Sequence, residues 1–416
     1  MKAAGDDARS KGARSDKARI DDSPHGRLRA RDAFLNYSPP SIGREEIDEV
    51  IDTLRSDWIT TGPKTKRFEE QFGSYLDAPG GTSLMLNSCT AGLHVALAAL
   101  GVGPGDEVIV PALTFAATAN VVEHVGAKPV LADVLPDTLC LDPDAASAAV
   151  TPATKVVIPV HYAGHPADLN AFDALAARHG LQIVEDAAHA IPTGYRGTRI
   201  GSRANFAAFS FYATKNLTTA EGGALTAAPD LLEGARALAL HGMSKDAWKR
   251  FDKAGSWEYD IVMPGFKYNM TDIQAALGIH QLRKLKRFHT RRREVARAYT
   301  AAFAAVPALE PPTELDDVGS AWHLYVLRLR TEQLSIDRNR FINELKDLNI
   351  GTSVHYRPLH MMSFYAEKYG YTPDDYPVSR DAFERMISIP LHPRLSDEDV
   401  TDVIEAILDV VARHPA

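Results

Sequence analysis

Phe209-Ser-Phe-Tyr-Ala-Thr-Lys215-Asn216 is the stretch on which the reading of this 416-residue chain turns. The apolar, aromatic run from Phe206 to Tyr212 reads as a buried strand, and Thr218 to Gly223 reads as a turn. Lys215 therefore sits at a strand end. A lysine held in a partly dry site loses solvation of its charged form, so its pKa falls and the neutral amine can attack an aldehyde to form a Schiff base. A solvated lysine at a strand end is the plainer alternative, and the flanking segments decide between the two.

Upstream, the pattern strand, loop, helix recurs. Leu84 to Leu86 is a short apolar strand, Asn87 to Gly92 a small polar loop, and His94 to Leu100 a helix that Ser88 or Thr90 could cap. A strand that feeds a helix through small residues brings free N–H groups and hydroxyls to a helix start, which suits a phosphate. Glu107 to Pro111 and Pro129 to Val134 read as strands around a helix from Phe115 to Val125. Val156 to Val160 is the next strand, followed by a helix from Pro166 to His179 and a strand from Leu181 to Val184 that ends in Glu185-Asp186-Ala-Ala-His189. The alternation predicts an α/β fold with a largely parallel sheet. Ligands collect at the carboxyl ends of such strands, where Asn87 to Thr90, Thr114, Phe115, His161, Tyr162, Asp186 and Lys215 all fall. The acid at Asp186, behind an apolar run, needs a cationic or hydrogen-bonding partner, and a pyridinium nitrogen would serve.

The loop Asp57-Trp-Ile-Thr-Thr-Gly-Pro63 follows a helix from Gly43 to Leu54 and reads either as a ligand cover or as a turn with a buried Trp58. Downstream, a long helix is expected from Thr271 to Val306, with Thr271 and Gln274 as a capping box and the basic run Lys284 to Arg293 as a solvated face. Trp322 to Leu329, Asp337 to Leu348 and Gly351 to His355 read as strand, helix and strand of a separate α+β unit, closed by a helix from Ser396 to Val411. Residues 1–33 mix Lys, Arg and Asp with small residues and are expected to be a disordered tail. The domains expected are 34–290, large and sheet-based, and 291–416, small and C-terminal.

A formal net charge of -8 argues against a nucleic-acid binder that works by phosphate neutralisation. Two cysteines, Cys89 and Cys140, are too few for a disulfide framework and lack metal-ligand spacing. No apolar segment has signal-peptide or membrane length. The expectations are a cytoplasmic protein with no metal, no nucleic-acid partner and no membrane partner.

The motifs Asp57-WITTGP-Lys64, Asn87-SCTAGLH, Pro159-VHYAGHPAD, Val184-EDAAHA, Phe209-SFYATKNLTTAEGG and Gly265-FKYNMTDIQAALG together resemble the DegT/DnrJ/EryC1/StrS family of sugar aminotransferases, from about Leu35 to the C-terminus. The closest likeness is to the UDP-4-amino-4-deoxy-L-arabinose/oxoglutarate aminotransferase group. The resemblance implies fold-type I architecture and pyridoxal 5'-phosphate (PLP) as cofactor, with pyridoxamine phosphate formed in turnover. It implies Lys215 as the Schiff-base lysine and proton carrier, and Asp186 as partner of the pyridine nitrogen. Phe115 would stack on the ring and His189 would lie near the ring hydroxyl. Ser210, Thr90 and the backbone at Cys89 would hold the phosphate, with Asn269 reaching in from a second subunit of a homodimer. Thr60, His161, Tyr162, His355 and Tyr356 are the candidates for the substrate side. Some relatives carry histidine at the lysine position and dehydrate sugars; Lys215 points instead to amine transfer. The activity implied moves an amino group from L-glutamate, giving 2-oxoglutarate, to C4 of a 4-keto sugar linked to dTDP or UDP. The alternatives are C3 or pentose specificity, or a nucleotide-sugar binding protein without turnover.

Overall fold

The computed structural model describes Leu28, residues 30–243 and residues 259–416. Seven strands form the central sheet: β1 (Leu84–Leu86), β2 (Glu107–Pro111), β3 (Lys128–Ala132), β4 (Thr154–Val157), β5 (Gln182–Asp186), β8 (Phe206–Ser210) and β9 (Gly223–Thr226). Their order is β1-β9-β8-β5-β4-β2-β3. The pairs from β8 through β5, β4 and β2 to β3 are parallel, while β9 is antiparallel to both of its neighbours. Strands buried on both faces read as continuous apolar runs, which is why Val-Ile-Val and Phe-Ala-Ala-Phe occur here. Smaller sheets are formed by β6 (Gly194–Tyr195), β7 (Thr198–Arg199) and β11 (Val318–Gly319), and by β10 (Leu309–Glu310), β12 (Tyr325–Leu329) and β13 (Met386–Ile389).

Helices cover both faces of the central sheet. In chain order these are α1 (Arg44–Arg55), α2 (Pro63–Leu76), α3 (Cys89–Ala99), α4 (Ala117–His124), α5 (Pro143–Ala148), α6 (Leu169–His179), α7 (Pro229–Ala239) and α8 (Asp272–Phe303). The C-terminal part adds α9 (Arg338–Asp347), α10 (Ser363–Tyr369), α11 (Pro377–Arg385) and α12 (Asp397–Arg413). On one face α3, apolar all round, packs with α4 and α7 against Val108, Val156, Val184 and Phe206. On the other, Phe68 and Phe72 of α2 meet Phe209, Phe211 and Ile279. Gly278 allows that approach, since a Cβ there would lie 2.4 Å from the Phe68 ring.

Helix α8 starts with the expected box, Thr271 Oγ accepting from Gln274 N–H and Gln274 Oε1 from Thr271 N–H. The expected boundary at 290/291 falls inside this continuous helix. Its first half belongs to the core under the sheet, and Val295, Tyr299 and Phe303 belong to the core of β10, β12, β13, α9 and α12.

Four sequence expectations are corrected. The basic run Lys284 to Arg293 is a solvated face only in part: Lys286, Arg287 and Arg293 are exposed, whereas Lys284 pairs with Glu45 and Glu46 at 2.8 and 2.6 Å, Arg291 with Asp397 at 2.7 Å, and Arg292 is fully buried. On the sides of the helix that are covered, a cation withdrawn from water takes a carboxylate or carbonyl partner. Gly351 to His355 is no strand, since only Ser353 bridges to Ser388. The helix expected from His94 begins at Cys89, with Ser88 as its cap. Most of the N-terminal tail lies outside the described residues, but Arg31 is tied in, paired with Asp399 at 2.6 Å and with Asp402. The first turn of α12 supplies Asp399, and Asp402 follows in the same helix.

Candidate active site

A cavity of about 520 Å3 opens at the carboxyl ends of β5 and β8 and the start of α3. Nine of the residues singled out in the sequence line it: Cys89, Thr90, Phe115, Asp186, His189, Ser210, Lys215, His355 and Tyr356. Lys215 enters from the turn after β8, its N–H bonded to Tyr212 O at 2.9 Å. Its surface accessibility is intermediate because it borders the cavity. Protein nonetheless surrounds it, and loss of solvation lowers its pKa to about 8 against the pull of Cys89 and Asp186. Among the described residues its Nζ has no hydrogen-bond or ion-pair partner.

Asp186 ends β5. Thr118 Oγ1 donates to its Oδ2 at 2.8 Å and Ala188 N–H to its Oδ1 at 3.1 Å, which fixes the carboxylate plane. Burial raises its pKa, opposed by those hydrogen bonds and by Lys215. Such a carboxylate is suited to a cationic ring N–H.

At the start of α3, Ser88 Oγ accepts from Ala91 N–H at 3.0 Å. The N–H groups of Cys89 and Thr90 lie in the first turn, where no intrahelical carbonyl reaches them. Ser210 closes the same corner from the end of β8. Gly223 is required here, because a Cβ would lie 2.5 Å from Cys89 N and 2.4 Å from Ser88 C. The corner thus joins backbone donors, hydroxyls and a helix N-terminus, a set that holds a phosphate.

Phe115 is 59% exposed, its ring centroid 5.6 Å from that of Tyr356. An exposed aromatic on a cavity wall offers a face to a flat ring. His189 Nδ1 accepts from Ala163 N–H at 3.2 Å and Nε2 meets the Tyr356 hydroxyl at 3.1 Å. His355 Nδ1 meets Ser388 Oγ at 2.8 Å, and burial lowers its pKa to about 4.

Four singled-out residues lie elsewhere. His161 is fully buried, with Nδ1 accepting from Ala167 N–H at 3.1 Å and Nε2 on Glu185 at 2.8 Å. Tyr162 is buried one layer behind, its hydroxyl donating to the His355 carbonyl. Strand β4 ends at Val157, but the chain stays beside β5 through the Val160–Asp186 bridge; Val160 lines the cavity, while the side chains of His161 and Tyr162 are buried. The Thr60 carbonyl accepts from Asp272 N–H at 2.9 Å, and Asn269 Nδ2 donates to Thr61 Oγ1 at 2.7 Å. Asp272 also accepts from the N–H groups of Gly62, Lys64 and Thr65. The Trp58 loop is thereby pinned to the start of α8, with Trp58 36% exposed and bonded to Thr61 O.

Sequence reasoning missed Tyr37, Thr118 and His323. Tyr37 and His323 line the cavity from segments remote in sequence, and Thr118 touches Asp186 across 68 residues. Among the described residues no cluster of three His, Cys, Asp or Glu could hold a metal ion, and no helix is long and apolar enough to cross a membrane.

A lysine, a buried acid and a phosphate-suited helix start in one cavity form a constellation that can be compared with known proteins. The family model described as DegT/DnrJ/EryC1/StrS aminotransferase family matches residues 40–408. The chain belongs to this family. Its relatives include the spore coat polysaccharide biosynthesis protein SpsC of Bacillus subtilis (strain 168), 49% identical over 386 residues, covering 92% of this chain and 99% of SpsC. The PLP-form of Spr1654 from Streptococcus pneumoniae is 40% identical with a TM-score of 0.85, covering 91% of this chain and 99% of Spr1654. The sugar aminotransferase CalS13 from Micromonospora echinospora is 29% identical with a TM-score of 0.81, covering 90% and 99%. The DegT/DnrJ/EryC1/StrS protein is a PLP-dependent sugar aminotransferase with the aminotransferase fold. The cavity fits that cofactor on its own chemistry, through a buried carboxylate for the ring nitrogen, an amine for the aldehyde and backbone donors for the phosphate.

Proposed function

We propose that the enzyme transfers the amino group of L-glutamate to C4 of a 4-keto deoxysugar carried on dTDP or UDP, releasing 2-oxoglutarate. The observation that carries this reading is Lys215 Nζ, unpartnered and with its pKa lowered to about 8, in the same cavity as a doubly hydrogen-bonded Asp186. Bound PLP supplies an electron sink for the charge left when the donor's Cα loses its proton. Asp186, held in plane by Thr118 and Ala188, keeps the ring nitrogen protonated so that this sink operates. Ser210, Thr90 and the Cys89 N–H would hold the phosphate, Phe115 would stack on the ring, and His189 would serve the ring hydroxyl. With donor and cofactor bound, Lys215 would serve as the amine that takes the proton from the donor's Cα and, in the second half, as the group that supplies a proton to the sugar carbon receiving nitrogen. His355 and Tyr356, which line the same cavity, would orient the sugar.

The sugar reading is supported by SpsC, whose name ties it to polysaccharide biosynthesis, and by PseC of Helicobacter pylori, an aminotransferase involved in the biosynthesis of pseudoaminic acid. The active unit we propose is a homodimer in which Asn269, outside the cavity of its own chain, reaches the partner's phosphate corner. The exposed Tyr259, Ile261 and Val262 provide apolar surface for that contact. Buried free thiols at Cys89 and Cys140 suit a reducing cytoplasm. The test is product analysis with L-glutamate and a panel of 4-keto and 3-keto sugars on dTDP and UDP. A C4 amino sugar is expected; amination only at C3, or only of sugars lacking a nucleotide, overturns the assignment.

A further inference from the structure

His189 and Tyr356 meet in the cavity wall, their ring centroids 6.1 Å apart, and a third residue sets the direction of the hydrogen bond between them. Ala163 N–H donates to His189 Nδ1 at 3.2 Å, and Nε2 of the same ring meets the Tyr356 hydroxyl at 3.1 Å. Turning the imidazole over would put carbon against both partners, so this orientation is the one that satisfies them. The Ala163 amide is itself fixed, since the Ala163 carbonyl accepts from His323 N–H at 3.0 Å and from Leu324 N–H at 3.2 Å. A backbone amide can only donate, so Nδ1 is bare. Burial, and after it the Lys215 charge, hold the ring neutral, and a neutral imidazole with Nδ1 bare carries its proton on Nε2.

Tyr356 therefore accepts from His189 and cannot donate to it. Burial holds its pKa far above the usual tyrosine range, so the phenol keeps its proton. Among the described residues its hydroxyl has no hydrogen-bond partner besides His189, and its ring lines the cavity 5.6 Å from that of Phe115. One O–H, its oxygen already polarised by an N–H donor, is thus left for what occupies the cavity. The resemblance carried by Val184-EDAAHA sets His189 near the cofactor's ring hydroxyl, yet the one proton of His189 is engaged by Tyr356. An oxygen beside His189 meets its donor in the tyrosine.

We propose that Tyr356, and not His189, is the hydrogen-bond donor to the cofactor's ring oxygen, with His189 as a positioning residue that turns the tyrosine's proton toward it. This rests on the proposed placement of His189 at the ring hydroxyl. His189 serves that oxygen through Tyr356, and no proton leaves either residue. Contacts to the sugar fall to His355 and to the ring of Tyr356, since its one hydroxyl proton is committed.

The first measurement uses the cofactor-free, full-length protein. Nitrogen-15 spectra of histidine-labelled wild type, assigned by difference with His189→Gln, should show His189 protonated on Nε2 and bare at Nδ1. A proton on Nδ1 would make Tyr356 the donor to His189 and overturns the proposal. The second measurement is the pH titration of the holoenzyme's visible band, with neither L-glutamate nor sugar present. The groups that bear on the pair are Lys215, Asp186, His323, His355, Tyr37 and Tyr162, and Tyr356→Phe leaves all of them in place. A hydrogen bond to the ionised ring oxygen favours the proton-poor form of the linked cofactor. Its loss in Tyr356→Phe should raise the midpoint by about one to two pH units, the worth of a hydrogen bond to a charged group. An unchanged or lowered midpoint overturns the proposal, because His189 would then be the direct donor. The tautomer is decided without cofactor, and the linkage to Lys215 by whether wild type has a visible band, so failure here and failure of the proposed activity are separate outcomes.

Discussion

Lys215 and Lys284 are both largely sheltered from solvent, and their surroundings have been built in opposite ways. Lys284 on α8 meets Glu45 and the fully buried Glu46, and although burial works against its charge, these hydrogen bonds carry its pKa above the usual lysine value. Lys215 is enclosed more deeply by protein and, among the described residues, has no such partner, and its pKa falls to about 8. The contrast teaches that shelter alone does not make an amine reactive. What matters is shelter from which the carboxylate has been withheld, and in this fold the acid nearest Lys215, Asp186, is kept occupied by Thr118 and Ala188.

Substitutions at the reactive end should have the largest effects. Lys215→Ala should abolish transamination, to below about 10⁻⁴ of wild type, with an unchanged circular dichroism spectrum; retention of measurable turnover would break the contrast outright. Asp186→Ala should slow the L-glutamate half-reaction by about 10²- to 10⁴-fold in stopped-flow measurements, and a rate within about tenfold of wild type would remove Asp186 from its role.

Proton linkage sharpens the comparison further. In cofactor-free protein the unfolded chain keeps a proton on Lys215 up to about pH 10.5, the folded chain only to about 8. The unfolded state therefore binds more protons between these values, and stability rises with pH across that window. The penalty from Lys215 is fully present below pH 8 and gone above about 10.5, so the melting-temperature advantage of Lys215→Met over wild type should shrink through this range. Parallel melting curves across it would mean that the lysine is not starved of solvation. The smallest effect is expected at the paired site. Lys284→Met should lower stability by about 1–3 kcal/mol in urea unfolding, because Glu46 is left buried without its cation, while kcat stays at the wild-type value.

How much of this was legible in the sequence depended on whether the signal was local. The strand-end position of Asp186, the cap at Ser88 and the Thr271 box each announce themselves within a few residues, and the structure places them as read; the strand before Lys215 stops at Ser210, short of the expected Tyr212, so the lysine lies in the turn that follows. Where the chain departs from the pattern, the cause is tertiary. His161 and Tyr162 follow the Val160–Asp186 bridge, but their side chains are taken up inside the protein by Glu185 and the His355 carbonyl, partners remote in sequence. Within Lys284 to Arg293, which reads as one charged surface, Lys284 and Arg292 are withdrawn because the acidic start of α1 and the carbonyls of Trp322 and Leu391 are brought against them, while Lys286, Arg287 and Arg293 stay exposed. His323 had no local signal: it enters the cavity from a stretch beside Trp322, whose φ of 47° no pattern of apolar spacing predicts.

The most direct test of the central claim is the absorbance spectrum of the purified holoenzyme before and after L-glutamate, with no sugar present. The account predicts a visible band from the lysine-linked cofactor that is lost in Lys215→Ala, and that fades on addition of L-glutamate as a shorter-wavelength pyridoxamine phosphate band grows. A protein saturated with PLP whose spectrum L-glutamate leaves unchanged, or whose visible band survives in Lys215→Ala, would contradict it.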